Sequence, residues 1–193
     1  MPVLWLKKIT LTVVAAGYVT FYNPIGKNLS CPRILGEPKW KWKYHGKHQG
    51  VAHRWLPCGT VIYIKIGKHI IKTRVLDRGP YGAVDKDGKI VNASPSFLKK
   101  WWKKYYLERG INLTEEEEKR LSMVLPEGWR WRSTVDILYS LKQKLKTKGG
   151  RQPGIIAIKN ETWEEVKNLM PENESFLIPL TFKETQTGTS LEF

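Results

Sequence analysis

Residues 51–82 read VAHRWLPCGTVIYIKIGKHIIKTRVLDRGPYG, and this stretch decides the fold. At its centre lie two runs dominated by β-branched residues, 60–66 (TVIYIKI) and 69–76 (HIIKTRVL). Only Gly67 and Lys68 separate them. Two such runs joined by a two-residue turn containing glycine predict a β-hairpin. The second run breaks on Asp77-Arg78-Gly79-Pro80, where Gly-Pro lets the backbone bend sharply. The hairpin thus ends on a carboxylate, Asp77, the first aspartate of the chain.

Upstream of the hairpin, residues 23–50 are punctuated by Pro24, Gly26, Pro32, Gly36, Pro38, Gly46 and Gly50 and predict a long loop. Before that, residues 9–22 are rich in β-branched and aromatic residues. Lys7 and Lys8 followed by ITLTVVAAG also resemble a secretory signal. The apolar stretch is short and runs unbroken into GYVTFYNP, which favours a strand over a signal. Downstream, Ser94 and Pro95 open a helix over 94–109 that Gly110 stops. On it Phe97, Trp101 and Tyr105 share one face, with Leu98, Trp102 and Tyr106 beside them. Thr114 and Glu117 form a capping box for a second helix, 115–124. A third helix is expected over 135–147, then a strand over 154–159, a short helical segment, and a polar tail from Thr181.

The chain has 193 residues, 41% of them hydrophobic, enough for a buried core. No apolar run approaches the roughly 18 residues that a membrane-spanning helix needs. Two cysteines exclude a disulfide-dense scaffold or a four-Cys zinc site, and four His without HExxH spacing give no support for a metal or cofactor. The net charge of +15 is uneven. Residues 1–76 carry 13 Lys/Arg against a single acid, Glu37, whereas 151–193 carry 4 against 7 acids. A cationic first half implies a polyanionic partner: wall polymer, membrane surface or nucleic acid. No nucleic-acid-binding signature accompanies the charge, which makes nucleic acid the weakest of the three.

The quoted stretch resembles the core of the rare lipoprotein A-like double-psi β-barrel family. The resemblance rests on Ala52-His53, Leu56-Pro57-Cys58-Gly59-Thr60 and Asp77-Arg78-Gly79-Pro80-Tyr81, with a looser match at GYVTFYNP. Val135-Asp136-Ile137-Leu138 occupies the place of the family's Ile-Asp-Leu-Ser segment, followed by Gly149-Gly150 and IIAIK. The resemblance implies a mainly β chain with a six-stranded double-psi barrel over 9–159. Residues 82–131 would be a helical insertion and 160–193 a C-terminal extension. Secreted plant and fungal relatives tie a Cys before that Gly to an upstream Cys, which implies a Cys31–Cys58 disulfide here; two free buried thiols are the alternative.

Enzymes of this family are lytic transglycosylases on peptidoglycan, and expansin-like members loosen walls without cleaving them. The resemblance implies Asp77 as the catalytic carboxylate, with His53 and Asp136 beside it. The family's upstream Glu has no counterpart in KWKYHGKHQG, residues 41–50, so only Glu37 remains as a second acid on that side. Arg74 and Arg78 flank Asp77 and favour its charged form, which suits a base or an electrostatic stabiliser more than a general acid. Structural readings stand beside these roles. Asp77 would hold turn amides, His53 would pack, Asp136 would cap the following helix, and Arg78 would brace a loop. Arg78, Tyr81, Trp40, Trp42 and Tyr22 are candidates for binding substrate, because aromatic faces stack on sugar rings and cations meet wall carboxylates. Three functions follow as expectations: a peptidoglycan-cleaving enzyme, a wall-binding barrel without chemistry, or a virion or tail assembly module. In the last, the insertion or the acidic tail would dock a protein. All three place the chain outside the cytoplasm or in a virion.

Overall fold

A computed structural model of the protein describes residues 7–32, 43–138, 150–171, 178–184 and 191–192. The strands are β1 (Lys7–Tyr22), β2 (Val51–Ala52), β3 (Val61–Ile66), β4 (His69–Asp77), β5 (Gly82–Val84) and β6 (Ile90–Asn92). They continue as β7 (Arg130–Trp131), β8 (Val135–Leu138), β9 (Gln152–Lys159), β10 (Ile178–Glu184) and β11 (Leu191–Glu192). The helices are α1 (Pro95–Leu107), α2 (Glu115–Leu121) and α3 (Asn160–Val166).

The protein is mainly β, built on a closed six-stranded barrel. The strands run β1-β8-β2-β4-β3-β9, and β9 pairs back onto β1 to complete the ring. Pairings β1–β8 and β2–β4 are parallel and the others antiparallel. Alternation fills the ring: Val19, Val51, Ile62, Ile64, Val75, Val135, Ile137, Ile156 and Ile158 form one fully buried cluster. The hairpin read from 60–76 is present, with Ile66 opposite His69 across Gly67-Lys68 and Gly67 at φ 56°. Closure removes the exposed edges that a six-stranded sheet would otherwise present.

Residues 9–22 form a strand, as their β-branched content predicts. The first half of β1 extends past the barrel and pairs antiparallel with β10, Lys7 to Val13 against Glu184 to Ile178. The polar tail expected from Thr181 is therefore partly a strand, because the overhang of β1 supplies a hydrogen-bonding edge that local composition does not reveal. The helix expected over 135–147 is also corrected. Val135–Leu138 is a strand between β1 and β2, its ladders formed with residues far away in sequence, and residues 139–149 lie outside the described residues. The reading of Asp136 as a helix cap falls with it.

The region 82–131 is only partly helical. β5, β6 and β7 form a separate three-stranded sheet, and Leu98 of α1 packs on it with Ala83, Ala93 and Leu125. Both predicted helix starts are observed. Ser94 accepts from the Phe97 amide, and Thr114 and Glu117 make the reciprocal capping-box bonds. Glu118 of α2 ties α1 down through Lys99 at 3.3 Å and Lys103 at 3.4 Å. Among the described residues, no helix is long and apolar enough to cross a membrane.

Candidate active site

Along β1, Thr20 and Tyr22 alternate with Val19 and Phe21, which face the barrel core. Thr20 lies opposite Asp136 in the β1–β8 register. Ala52 of β2 lies opposite Asp136 on one side and Asp77 on the other. The two aspartates therefore sit one strand spacing, about 5 Å, either side of Ala52. A register shift between Val51 and Ala52 brings Asp77 level with that row. Irregularities of this kind re-aim side chains beside active sites. Just before β2 the chain approaches β4 closely at Gly50. A Cβ there would lie 2.5 Å from the Leu76 side chain and 2.9 Å from the Arg74 carbonyl, so only glycine fits.

Asp77 is held by three donors. The Tyr22 hydroxyl donates to Oδ2 at 2.8 Å, the Ser30 amide to Oδ1 at 2.8 Å, and the Arg78 amide to Oδ1 at 2.9 Å. These three bonds fix both carboxylate oxygens in place. Burial raises the pKa of Tyr22 above its ordinary value, and the charge and hydrogen bond of Asp77 add to the rise, so Tyr22 remains a donor.

Asp136 has the opposite character. Burial pushes its carboxyl up to about 6, a hydrogen bond from Thr20 opposes the rise, and the charge of Asp77 adds to it. Its Oδ1 is buried with no hydrogen-bond partner among the described residues. One carboxyl is thus held by three donors, while burial lets the other keep its proton to near-neutral pH.

The surrounding cations are committed to the framework. Arg78 Nη1 donates to the carbonyls of Leu56 and His53, the latter at 3.2 Å, and its Nη2 lies 3.7 Å from Cys58 Sγ. Burial lowers the Arg78 pKa, opposed by Tyr81 and Asp77. Arg54 donates to the carbonyls of Ser133 at 2.8 Å and Pro80 at 3.1 Å and lies 4.1 Å over the Trp131 ring. His53 is buried. Its Nδ1 accepts from the Trp55 amide at 3.3 Å and the Leu56 amide at 3.0 Å, and its own amide donates to the Asp77 carbonyl at 3.1 Å. Burial holds the imidazole pKa well below its ordinary value, and Arg54 and Arg78 reinforce this, so the ring is neutral. His53 thus positions the strand end that carries Asp77. Tyr81 is half-buried, and burial raises its pKa against the pull of Arg78 and Arg54.

Cys31 and Cys58 form a disulfide with Cα atoms 5.4 Å apart. It anchors the segment whose Ser30 amide holds Asp77, and the Cys31 amide donates to the Leu76 carbonyl at 3.2 Å. Tyr22, Asp77, Asp136, His53, Arg78 and Tyr81 are therefore gathered on one side of the barrel. Glu37, Trp40 and Trp42 lie outside the described residues. Thr20, Arg54 and Ser133 were not singled out in the sequence. Thr20 is two residues from Tyr22 and so shares its face of β1, which was a usable signal; nothing local points to Arg54 or Ser133.

Comparison with protein-family models, with curated proteins and with solved structures found no match to this chain.

Proposed function

We propose that the protein cleaves cell-wall glycan, as a lytic transglycosylase or muramidase-type enzyme, through Asp77 and Asp136. The observation that carries the reading is the division of labour between these two carboxyls. Glycoside cleavage needs one group that can give a proton to the leaving oxygen and a negative charge to stabilise the oxocarbenium-like state. A carboxyl with a pKa near 6 suits the first task, and a carboxylate held by three donors suits the second.

In the transglycosylase form, Asp136 donates its proton to the glycosidic oxygen as the C–O bond breaks. The sugar's own hydroxyl then bonds to the anomeric carbon and returns its proton to the Asp136 carboxylate. The proton cycle closes on one residue, so the missing upstream Glu is no obstacle. In the muramidase form, water replaces that hydroxyl. The cationic first half of the chain favours wall polymers bearing carboxylates or phosphates. A cystine in the barrel fits an oxidising, extracytoplasmic or virion-associated setting.

The test is mass spectrometry of peptidoglycan digested with wild type, Asp77→Asn and Asp136→Asn. Anhydro ends identify a transglycosylase and reducing ends a muramidase. Each substitution should lower the rate by about three orders of magnitude, roughly 4 kcal/mol of transition-state stabilisation. The rate should fall as pH rises through about 6, where Asp136 loses its proton. A second reading, a wall-binding or virion-docking barrel without chemistry, is favoured by Arg54 and Arg78 being committed to backbone carbonyls. Salt-dependent wall binding with no cleavage would establish it instead.

A further inference from the structure

The KKWWKKYY stretch of α1 reads in the sequence as ordinary packing of one helix face. Only part of it packs. Leu98 is buried, and Trp102 joins its cluster and donates its indole N–H to the Val124 carbonyl at 2.8 Å. Trp101, Tyr105 and Tyr106 remain half-exposed, and with Trp102 and Trp129 they line a cavity of about 740 Å³. That volume lies within the range of small-ligand sites.

The rings form one contiguous cluster in which one pair stacks and most of the others meet edge to face. Trp101 stacks on Tyr105 with centroids 5.3 Å apart and planes 14° from parallel, and Trp129 meets Trp101 at 5.9 Å. Arg109 lies 3.5 Å over Tyr105 and extends the stack by one turn of the helix. Asp85, Asp87 and Glu127 also line the cavity, with Lys86 as the one cation. In a chain of net charge +15 this concentration of acids is out of character.

We infer that this cavity is a second glycan-binding site, separate from the barrel carboxylates, which takes a neutral stretch of the N-acetylhexosamine chain. The ligand class follows from the lining. A pyranose has an apolar C–H face that lies on aromatic rings and a rim of hydroxyls that need acceptors, and both are supplied. A polyanion would meet three carboxylates. Asp85 already accepts from the Asp87 and Lys89 amides at 2.9 Å, but a purely apolar ligand would leave Asp87 and Glu127 without a use. An ammonium group would be drawn to the same acids, but a cavity of about 740 Å³ lined by five rings is far larger than one such group fills. The choice of this sugar rests on the proposed wall-glycan function; the existence of the site does not.

The experiment titrates the full-length Asp77→Asn protein, in which any consumption of the probe is slowed about a thousandfold, with N-acetylglucosamine hexamer while tryptophan emission is followed. A saturable change is expected. Adding Trp101→Ala or Glu127→Gln should weaken binding about tenfold each, equivalent to about 1.4 kcal/mol. Glu127 is exposed, so Glu127→Gln tests the site without risk to the fold. Absence of saturable binding, binding unchanged by both substitutions, or displacement by tetramethylammonium would each overturn the inference. Wall cleavage without hexamer binding would overturn it and leave the proposed activity standing. Hexamer binding without cleavage would do the reverse.

Discussion

The barrel wall around Asp77 and the aromatic face of the insertion solve opposite problems. On the barrel, polar groups are held by a rigid ring of ladders: Asp77 has three donors and His53 accepts two amides. On the insertion, large rings stay half-exposed above a small cluster, and the acids sit on a turn and a loop. The first arrangement suits chemistry, which needs groups fixed to a fraction of an ångström. The second suits recognition, where area and adaptability matter more than placement. Removing a barrel-wall group that its neighbours hold by hydrogen bonds, such as Asp77 or His53, should therefore be costly to stability, whereas a substitution on the insertion face should be cheap to stability and costly to binding.

The strongest way to break that comparison is to remove one side of it. The insertion begins and ends at adjacent strands, with Ala83 opposite Trp131 and the Arg132 amide donating to the Gly82 carbonyl at 3.0 Å. A short Gly/Ser linker in place of 84–130 spans this gap. The expected product is a folded β-rich protein with the Cys31–Cys58 bridge intact and no binding of the sugar hexamer. Circular dichroism and alkylation without reductant would check it. An unfolded product would mean that the insertion is part of the barrel's own core.

A smaller effect is expected from His53→Ala. It leaves the Trp55 and Leu56 amides without their acceptor in a buried place. Each orphaned donor costs about 1 to 3 kcal/mol, so a loss of about 3 kcal/mol in urea denaturation is expected. Trp101→Ala on the insertion should cost less than half of that. His53→Asn, which restores an acceptor, should recover part of the loss. If His53→Ala and Trp101→Ala cost the same, the contrast between a framework and a recognition face is lost.

How much of this was legible in the sequence depends on how local the cause is. The 60–76 hairpin, the Ser94 and Thr114 caps and the Gly110 stop are decided by residues within a few positions of one another, and they were read correctly. Val135–Leu138 was misread because its partners, β1 and β2, lie far away in sequence. β10 was missed for the same reason, since the overhang of β1 that pairs with it is invisible locally. At the candidate site, Asp77 and Asp136 were named from their motifs. Their opposite settings, one carboxyl held by donors and the other buried, could not be read, because they come from burial and from the tertiary partners Tyr22, Ser30 and Thr20.

The smallest and sharpest prediction concerns that opposition. The Asp136 pKa is raised from an ordinary value of 3.8 to about 6, chiefly by burial. Below about pH 4 the group is protonated both folded and unfolded, and it costs nothing. Between pH 4 and 6 the unfolded chain loses the proton while the folded one keeps it, so stability falls as pH rises. Above pH 6 the folded protein carries the buried charge and bears the full penalty, at most about 3 kcal/mol and about 2 after screening through the partly exposed side. Asp136→Asn removes the charge at nearly the same volume. It should therefore be more stable than wild type by about 2 kcal/mol at pH 8, and by nothing measurable at pH 4. Asp77→Asn should instead be destabilised, because donors hold both carboxylate oxygens and an amide nitrogen cannot accept in place of one of them. Urea denaturation of both variants at pH 4, 6 and 8 separates the two carboxyls without any substrate. If Asp136→Asn is destabilised at pH 8 in the way Asp77→Asn is, both aspartates are held by donors, and the proton donor must be sought elsewhere.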